Sequence, residues 1–140
     1  MIRRSEEKDG QSAYKLICIL EGTEFDKDGF QKIYEMMMKN ENHVCFVYEQ
    51  EDEIVALLHM RMEYQLHHCA RIAEITELVV LPEYRSKGIG AKLFQYACIY
   101  AKEKDCVRIE LVTNRRRKDA HRFYEREGMH QSHFGYTLDL

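Results

Sequence analysis

The sequence contains one proline, Pro82, and it has neither a segment rich in serine and glycine nor an internal repeat. Linkers between domains are usually rich in such residues, so their absence leaves no candidate boundary. The length of 140 residues and the apolar fraction of 45% suit a single hydrophobic core. We therefore expect one domain over residues 1–140.

Long apolar runs are also missing. No segment approaches the roughly eighteen uninterrupted apolar residues that indicate a membrane-spanning helix. Residues 1–9 are mostly charged and lack the apolar stretch of a signal peptide. Both absences predict a cytoplasmic protein with no membrane partner.

The chain has no excess of positive charge, because its formal net charge is −3. A protein of this charge is not a general binder of polyanions. One basic run stands out at residues 115–118, but no aromatic residues for stacking bases accompany it. The run is interpreted as a solvated loop, with a phosphate contact as the alternative, and nucleic acid is not an expected partner.

Paired cysteine motifs are absent as well. The five cysteines are odd in number, widely spread, and never arranged as Cys-x-x-Cys. This usage predicts reduced thiols that pack as small apolar groups rather than disulfides or a zinc site.

Apolar periodicity predicts a mixed α/β architecture. Helices are predicted over residues 12–21, 30–38, 88–104 and 119–127, with Asp26 or Asp28 capping the second. Strands are predicted near the start and over residues 43–48, 54–66, 71–81 and 106–113, and the tail 129–140 is expected to return to the sheet. The polar residues 49–53 are expected to form the longer loop of an antiparallel hairpin.

The segment YRSKGIGAKLF, residues 84–94, is the most informative stretch. It follows an apolar strand and opens a predicted helix, whose first N–H groups have no partner and carry partial positive charge. Gly88 and Gly90 let a ligand approach the backbone, while Arg85 and Lys87 add full positive charge. This arrangement indicates a phosphate-binding turn, and a plain turn with solvated basic residues is the alternative.

Two common nucleotide loops do not match this segment. A dinucleotide fingerprint needs glycine where Leu93 stands, and a P-loop needs Gly-Lys-Ser/Thr where Gly90 is followed by Ala91. What remains is Arg85-x-x-Gly88-x-Gly90 after the strand Glu-Leu-Val-Val-Leu.

This pattern, together with Tyr124 after a later strand, resembles the pyrophosphate-binding loop of the GNAT acetyltransferase superfamily. The resemblance implies the acyl-CoA N-acyltransferase fold, a central mixed and mostly antiparallel sheet with flanking helices, and acetyl-CoA as cosubstrate. The residues that it implies for binding acetyl-CoA are Leu78, Val79, Val80, Leu81, Arg85, Ser86, Lys87, Gly88, Ile89, Gly90, Ala91, Asn114 and Tyr124.

The resemblance also implies catalytic roles. The N–H of Val79, aimed by a β-bulge, would stabilise the oxyanion, and Tyr124 would protonate the departing thiolate. A phenol with a pKa of about 10 is protonated at neutral pH and can serve as this acid, although a packing role is the alternative. Glu77 matches the usual position of the base, and Glu74 is the alternative. Three residues apart on one strand, the two carboxylates are expected on opposite faces.

Two longer segments, YQLHHCARIAEITELVV and KDAHRFYEREGMHQSHF, resemble the aminoalkylphosphonate N-acetyltransferases. This narrower resemblance implies a small aminophosphonate as acceptor and leaves a divalent metal possible. Adjacent residues of a strand face opposite ways, so at most one of His67 and His68 would serve one metal site, and the metal ligands stay unknown. The candidates for substrate binding are Glu74, Arg61, His68, Arg71 and His133.

The sequence thus predicts an acetyl-CoA-dependent N-acetyltransferase in which the primary amine of a small molecule attacks the thioester directly. Within the same chemistry, an aminoglycoside, a polyamine or a protein amine is the alternative acceptor. A non-catalytic module that senses acyl-CoA is the alternative from another class. A homodimer is a further expectation.

Overall fold

The computed structural model describes residues 1–140. Its strands are β1 (Ile2–Arg4), β2 (His43–Gln50), β3 (Glu53–Gln65), β4 (Ala70–Val80) and β5 (Cys106–Leu111). Its α-helices are α1 (Gly10–Glu21), α2 (Lys27–Lys39), α3 (Ile89–Glu103) and α4 (Lys118–Arg126). Single 3-10 turns occupy Glu7–Asp9, Leu66–His68 and Pro82–Tyr84.

The five strands form one sheet in the order β1-β2-β3-β4-β5. The pairs β1–β2, β2–β3 and β3–β4 are antiparallel. β5 follows β4 through helix α3, which is the kind of crossover that joins parallel neighbours. The mixed, mostly antiparallel sheet with flanking helices is therefore confirmed.

The chain divides into two compact units, residues 1–110 and residues 111–140. The first contains α1, α2, α3 and four complete strands, and the second contains α4. No helix in the structure combines the length and the apolar character needed to cross a bilayer. The expectation of a single domain stays a prediction.

Helix ends follow the local signals in the sequence. The Asp26 side chain accepts a hydrogen bond from the N–H of Gly29 at 2.8 Å, so Asp26 rather than Asp28 is the N-cap of α2. Gly22 ends α1 with a φ of 67°, a left-handed conformation that costs glycine little. Pro82, which cannot donate to a ladder, follows directly after β4 and Leu81.

The two faces of the sheet carry different helices. Phe46 of β2 is 1% exposed and meets Tyr96 and Tyr100 of α3 edge-on, with ring centroids 5.0 and 5.2 Å apart. Leu57 of β3 points to the other face, where it lines a cavity together with Ala13 of α1. Because side chains alternate along a strand, every second residue of β2 and β3 belongs to the α1–α2 face.

The hairpin between β2 and β3 is tighter than predicted. Gln50 pairs with Glu53, which leaves only Glu51 and Asp52 in the turn, with φ values of 51° and 62°. Two consecutive left-handed residues match the twist of the strands. Turns of this kind usually contain Asn-Gly or Asp-Gly, which makes them recognisable in a sequence. The acidic pair lacks that signal, so the longer loop expected from the sequence is wrong.

The expected return of residues 129–140 to the sheet is also wrong. This tail contains neither helix nor strand, and its aromatic residues Phe134 and Tyr136 are 87% and 94% exposed. Aromatic and β-branched content describes a fit to a pleated surface and does not supply a pairing partner. The aromatic and β-branched content of the tail was therefore not sufficient to predict a strand.

Candidate active site

A β-bulge in β4 builds the site. His59 of β3 pairs with Glu77, and the next residue of β3, Met60, pairs with Ile75, so Thr76 has no partner across the ladder. An unpaired extra residue of this kind is a β-bulge, which bends the strand and re-aims its side chains. It lies at Thr76, three residues before Val79 and just outside the segment Leu78–Leu81 for which the resemblance implied a bulge.

The bulge places Glu74 and Glu77 on the same face of the sheet. Glu74 pairs with Arg61 and Glu77 pairs with His59. Arg61 and His59 are two residues apart on β3, so they share a face and their partners share it too. The expectation of opposite faces is therefore wrong, because the extra residue shifts the alternation by one position.

Glu77 is held by two hydrogen-bond donors. The Thr76 hydroxyl donates to Glu77 Oε2 at 2.6 Å, and His59 Nδ1 lies 3.2 Å from the same oxygen. His59 Nδ1 also contacts the Thr76 hydroxyl. His59 is only 7% exposed, whereas the Glu77 side chain is 33% exposed, so the cluster runs from a buried imidazole to a carboxylate that solvent can reach.

A second imidazole extends the cluster toward the start of β2. His43 Nδ1 lies 3.2 Å from His59 Nε2, and the two rings stack with centroids 5.2 Å apart and planes 16° from parallel. Glu77, His59 and His43 therefore form a continuous chain of hydrogen-bonded titratable groups across three neighbouring strands.

This chain faces a cavity of about 320 Å³ on the α1–α2 side of the sheet. The volume is within the range of pockets that take small molecules. The lining is mainly apolar or aromatic, with seven residues from α1 and α2, and its charged or titratable side chains include Arg4, His43, His59 and Glu77. The lining residues are Arg4, Ser5, Ala13, Ile17, Phe25, Phe30, Ile33, Tyr34, Met37, Met38, His43, Val44, Cys45, Leu57, His59 and Glu77.

At neutral pH, the Glu77 end of the cluster is ionised and the His43 end is uncharged. Burial raises the pKa of Glu77, but the hydrogen bonds from His59 and Thr76 outweigh it, and the net pKa lies below 4.5. Burial, followed by the neighbouring His59 and Arg61, lowers the pKa of His43 below 6.5. Glu77 is thus a carboxylate and His43 is an uncharged base.

The arginines proposed for an anionic substrate group already have partners. Arg61 Nη2 lies 2.8 Å from Glu74 Oε2, and this pairing raises the pKa of Arg61. Arg71 donates to the carbonyl of Lys104 and to the side chain of Asn42, each at 3.1 Å. Neither arginine lines the cavity.

The histidine pair His67 and His68 also lies outside the cavity. His68 Nε2 is 3.5 Å from Glu110 Oε1, and Arg108 Nη1 is 3.4 Å from the same ring nitrogen. No group of three or more His, Cys, Asp or Glu side chains is arranged to hold a metal ion. No residue is therefore assigned to a metal.

The glycine-rich turn opens α3 as the sequence indicates. Gly88 is the N-cap with a φ of 81°, and an added Cβ would meet no atom within 4 Å. Arg85 Nε donates to the carbonyl of Val80 at 3.0 Å, so Arg85 fixes the turn to the end of β4. The open space above Gly88 and the unpartnered first N–H groups of the helix suit a phosphate group.

The remaining predicted residues belong to the second unit. Asn114 accepts a hydrogen bond from the N–H of Arg116 at 2.9 Å and thereby shapes the turn before α4. Tyr124 is buried; burial raises the pKa of its phenol and Arg117 lowers it by less, so the phenol is protonated at neutral pH. His133 is exposed, with its Nδ1 2.6 Å from the Ser132 hydroxyl.

The sequence profile of the acetyltransferase (GNAT) family matches residues 11–129. This chain belongs to the GNAT family. Its relatives include the aminoalkylphosphonate N-acetyltransferase of Salmonella typhimurium, which is 38% identical over 99% of this chain and 90% of that protein. The family resemblance and the N-acetyltransferase activity expected from it are confirmed.

Solved structures support the GNAT fold. A transcriptional regulator from Bacillus halodurans superposes with a TM-score of 0.91 at 26% identity, covering 100% of this chain and 99% of that one. Glucosamine-6-phosphate N-acetyltransferase from Arabidopsis thaliana superposes with a TM-score of 0.80 at 23% identity, covering 99% and 97%. The second likeness concerns the fold alone.

Sequence reasoning missed His43, His59 and Thr76. No motif joins these residues, since His43 and His59 meet only because β2 pairs with β3. One signal in the sequence could have helped. His59 and Arg61 are two residues apart on a strand that was correctly predicted, so both side chains lie on the same face.

Proposed function

We propose that this GNAT protein transfers the acetyl group of acetyl-CoA to the primary amine of a small molecule by direct attack. The observation that supports this most strongly is the course of β4. It brings Glu77 into a cavity of small-molecule size and then leads directly into the turn that opens α3. One strand thus connects an acceptor pocket to a phosphate-binding turn.

Acetyl-CoA is proposed to lie along the end of β4 and the start of α3. The turn offers helix N–H groups for the diphosphate, and Arg85 and Lys87 add positive charge. The backbone of residues 78–81 would hydrogen-bond the pantetheine arm, as the family resemblance implies.

The chemistry needs a free amine, because an alkylamine is mostly an ammonium ion at neutral pH. The ionised Glu77 attracts this ammonium and can take up its proton directly or through intervening groups. Glu74 is less suited, since Arg61 neutralises it and it does not line the cavity. The amine lone pair then attacks the thioester carbonyl, the N–H of Val79 stabilises the oxyanion, and Tyr124 protonates the thiolate.

An aminoalkylphosphonate is the acceptor that the Salmonella relative suggests. Its anionic group would need a cation. Arg61 and Arg71 are paired outside the cavity, and Arg4, the cation that lines it, contacts the hydroxyl and ring of Tyr100. The apolar lining favours a second candidate, a small amine that carries an apolar or aromatic group. The cytoplasmic location and the homodimer stay predictions.

Replacement of Gly88 tests the phosphate-binding turn. In Gly88→Ala, the new Cβ would fill the space above the turn, and we expect coenzyme A affinity, measured by calorimetry, to fall by about tenfold or more. Gly22→Ala is the matched control, since Gly22 also has a positive φ and no atom within 4 Å of an added Cβ. Both variants carry a similar backbone strain of about 1–2 kcal/mol. Equal coenzyme A affinity in the two variants would refute the assignment.

Removal of the Tyr124 hydroxyl tests the proposed acid. We expect Tyr124→Phe to lower kcat by about 100-fold, a typical contribution of a positioned acid, with coenzyme A affinity nearly unchanged. Tyr136→Phe in the exposed tail is the control and should keep full activity. A kcat equal to that of the wild type would remove Tyr124 from this role.

A thiol-release assay with acetyl-CoA tests the function as a whole. The panel contains 2-aminoethylphosphonate, 2-phenylethylamine, spermidine and an aminoglycoside. We expect amine-dependent release, faster with the two small amines than with the two polycationic ones, because the cavity is small and carries one carboxylate. The preference between the first two decides the acceptor class. Tight coenzyme A binding without release in any arm would instead indicate a non-catalytic sensor.

A further inference from the structure

The chain Glu77–His59–His43 has a direction, which its hydrogen-bonding capacity fixes. An ionised carboxylate only accepts hydrogen bonds, so His59 Nδ1 carries the proton in its 3.2 Å contact with Glu77 Oε2. The Thr76 hydroxyl agrees with this direction, since it donates to the same carboxylate oxygen. With a single proton on the His59 ring, its Nε2 carries none and can only accept a hydrogen bond.

The direction continues into the second ring. His59 Nε2 needs a donor, and the atom 3.2 Å away is His43 Nδ1. His43 therefore carries its proton on Nδ1 and keeps a free lone pair on Nε2. The structure shows no hydrogen-bond partner for His43 Nε2, and His43 lines the cavity in which the proposed function places the acceptor.

We propose that His43 is the catalytic base of the acetyl transfer, and that His59 and Glu77 position it and receive the charge. This inference rests on the proposed function and specifies how the acceptor loses its proton. Glu77 then acts through two imidazoles and does not itself need to touch the amine.

The proton lost by the acceptor is taken up within the hydrogen-bonded groups His43, His59 and Glu77. An N–H bond of the acceptor ammonium breaks, its electron pair stays on nitrogen as the nucleophilic lone pair, and the proton forms an N–H bond at His43 Nε2. The Nδ1 proton of His43 can then move to His59 Nε2. The positive charge ends on the His59 ring, beside the carboxylate of Glu77, where opposite charge stabilises it.

An imidazole suits this task better than the carboxylate alone. A general base works best when its pKa is near the operating pH, and an imidazole is ordinarily closer to neutrality than a carboxylate. Burial lowers the pKa of His43 most, His59 and Arg61 of β3 lower it further, and Glu77 of β4 raises it. Arg4 of β1, Cys45 of β2 and Tyr34 of α2 line the same cavity.

The tautomers can be measured without any acceptor. Long-range proton–nitrogen NMR of the ¹⁵N-labelled protein at pH 7.5 should show both His43 and His59 with the proton on Nδ1. Glu77→Leu should abolish this fixed state at His59, because its acceptor is gone. A proton on Nε2 of His43 in the wild type would overturn the proposal.

The kinetic test compares His43→Ala with His130→Ala, a control at an exposed histidine. With the fastest amine of the panel, we expect kcat of His43→Ala to fall by about 100-fold. Added imidazole should restore part of it, with coenzyme A affinity unchanged. The wild type should lose activity as the pH falls through the pKa of His43, below 6.5, because the protonated ring is no base. That acid limb should be absent from the variant.

The outcomes separate the two proposals. A kcat of His43→Ala within threefold of the wild type, or an acid limb that survives unchanged in this variant, would overturn the role of His43 and leave the acetyltransferase function intact. Absence of thiol release by the wild type with every amine would instead contradict the proposed function. The NMR measurement decides the protonation of His43 in either case.

Discussion

The unpaired residue Thr76 is the constraint on which the site depends. Side chains alternate along a strand, so one extra residue moves everything after it to the other face. The bulge puts Glu77 opposite His59, on the face covered by α1 and α2. Without it, Glu77 would point toward α3, where Tyr96 and Tyr100 pack edge-on against Phe46. The carboxylate therefore shares a face with both imidazoles and the cavity because of one local irregularity in β4.

Features that depend on a few neighbouring residues could be predicted from the sequence. The turn that opens α3 follows from Gly88 and Gly90 between an apolar strand and a helical pattern, and Pro82 marks the strand end. The cap at Asp26 and the stop at Gly22 follow from the same kind of short-range chemistry. The resemblance to the GNAT family rested on one of these signals, the turn Arg85-x-x-Gly88-x-Gly90, together with Tyr124.

Features that depend on pairing between distant residues could not be predicted. The bulge exists only relative to β3, so no property of residues 70–80 alone reveals it. His43 and His59 are sixteen residues apart and meet through the β2–β3 register. The prediction for the tail 129–140 was wrong because its composition suggested a strand, whereas the structure has none there. The prediction that Glu74 and Glu77 lie on opposite faces was wrong because the bulge between them depends on the pairing with β3.

A crystal structure of the complex with coenzyme A would show whether one strand joins a diphosphate turn to a carboxylate pocket. We expect the diphosphate against the backbone N–H groups of residues 86–91, with the thiol at the end of the ligand directed toward the cavity beside Glu77. Coenzyme A bound away from this turn, or with its thiol on the α3 face of the sheet, would contradict this arrangement.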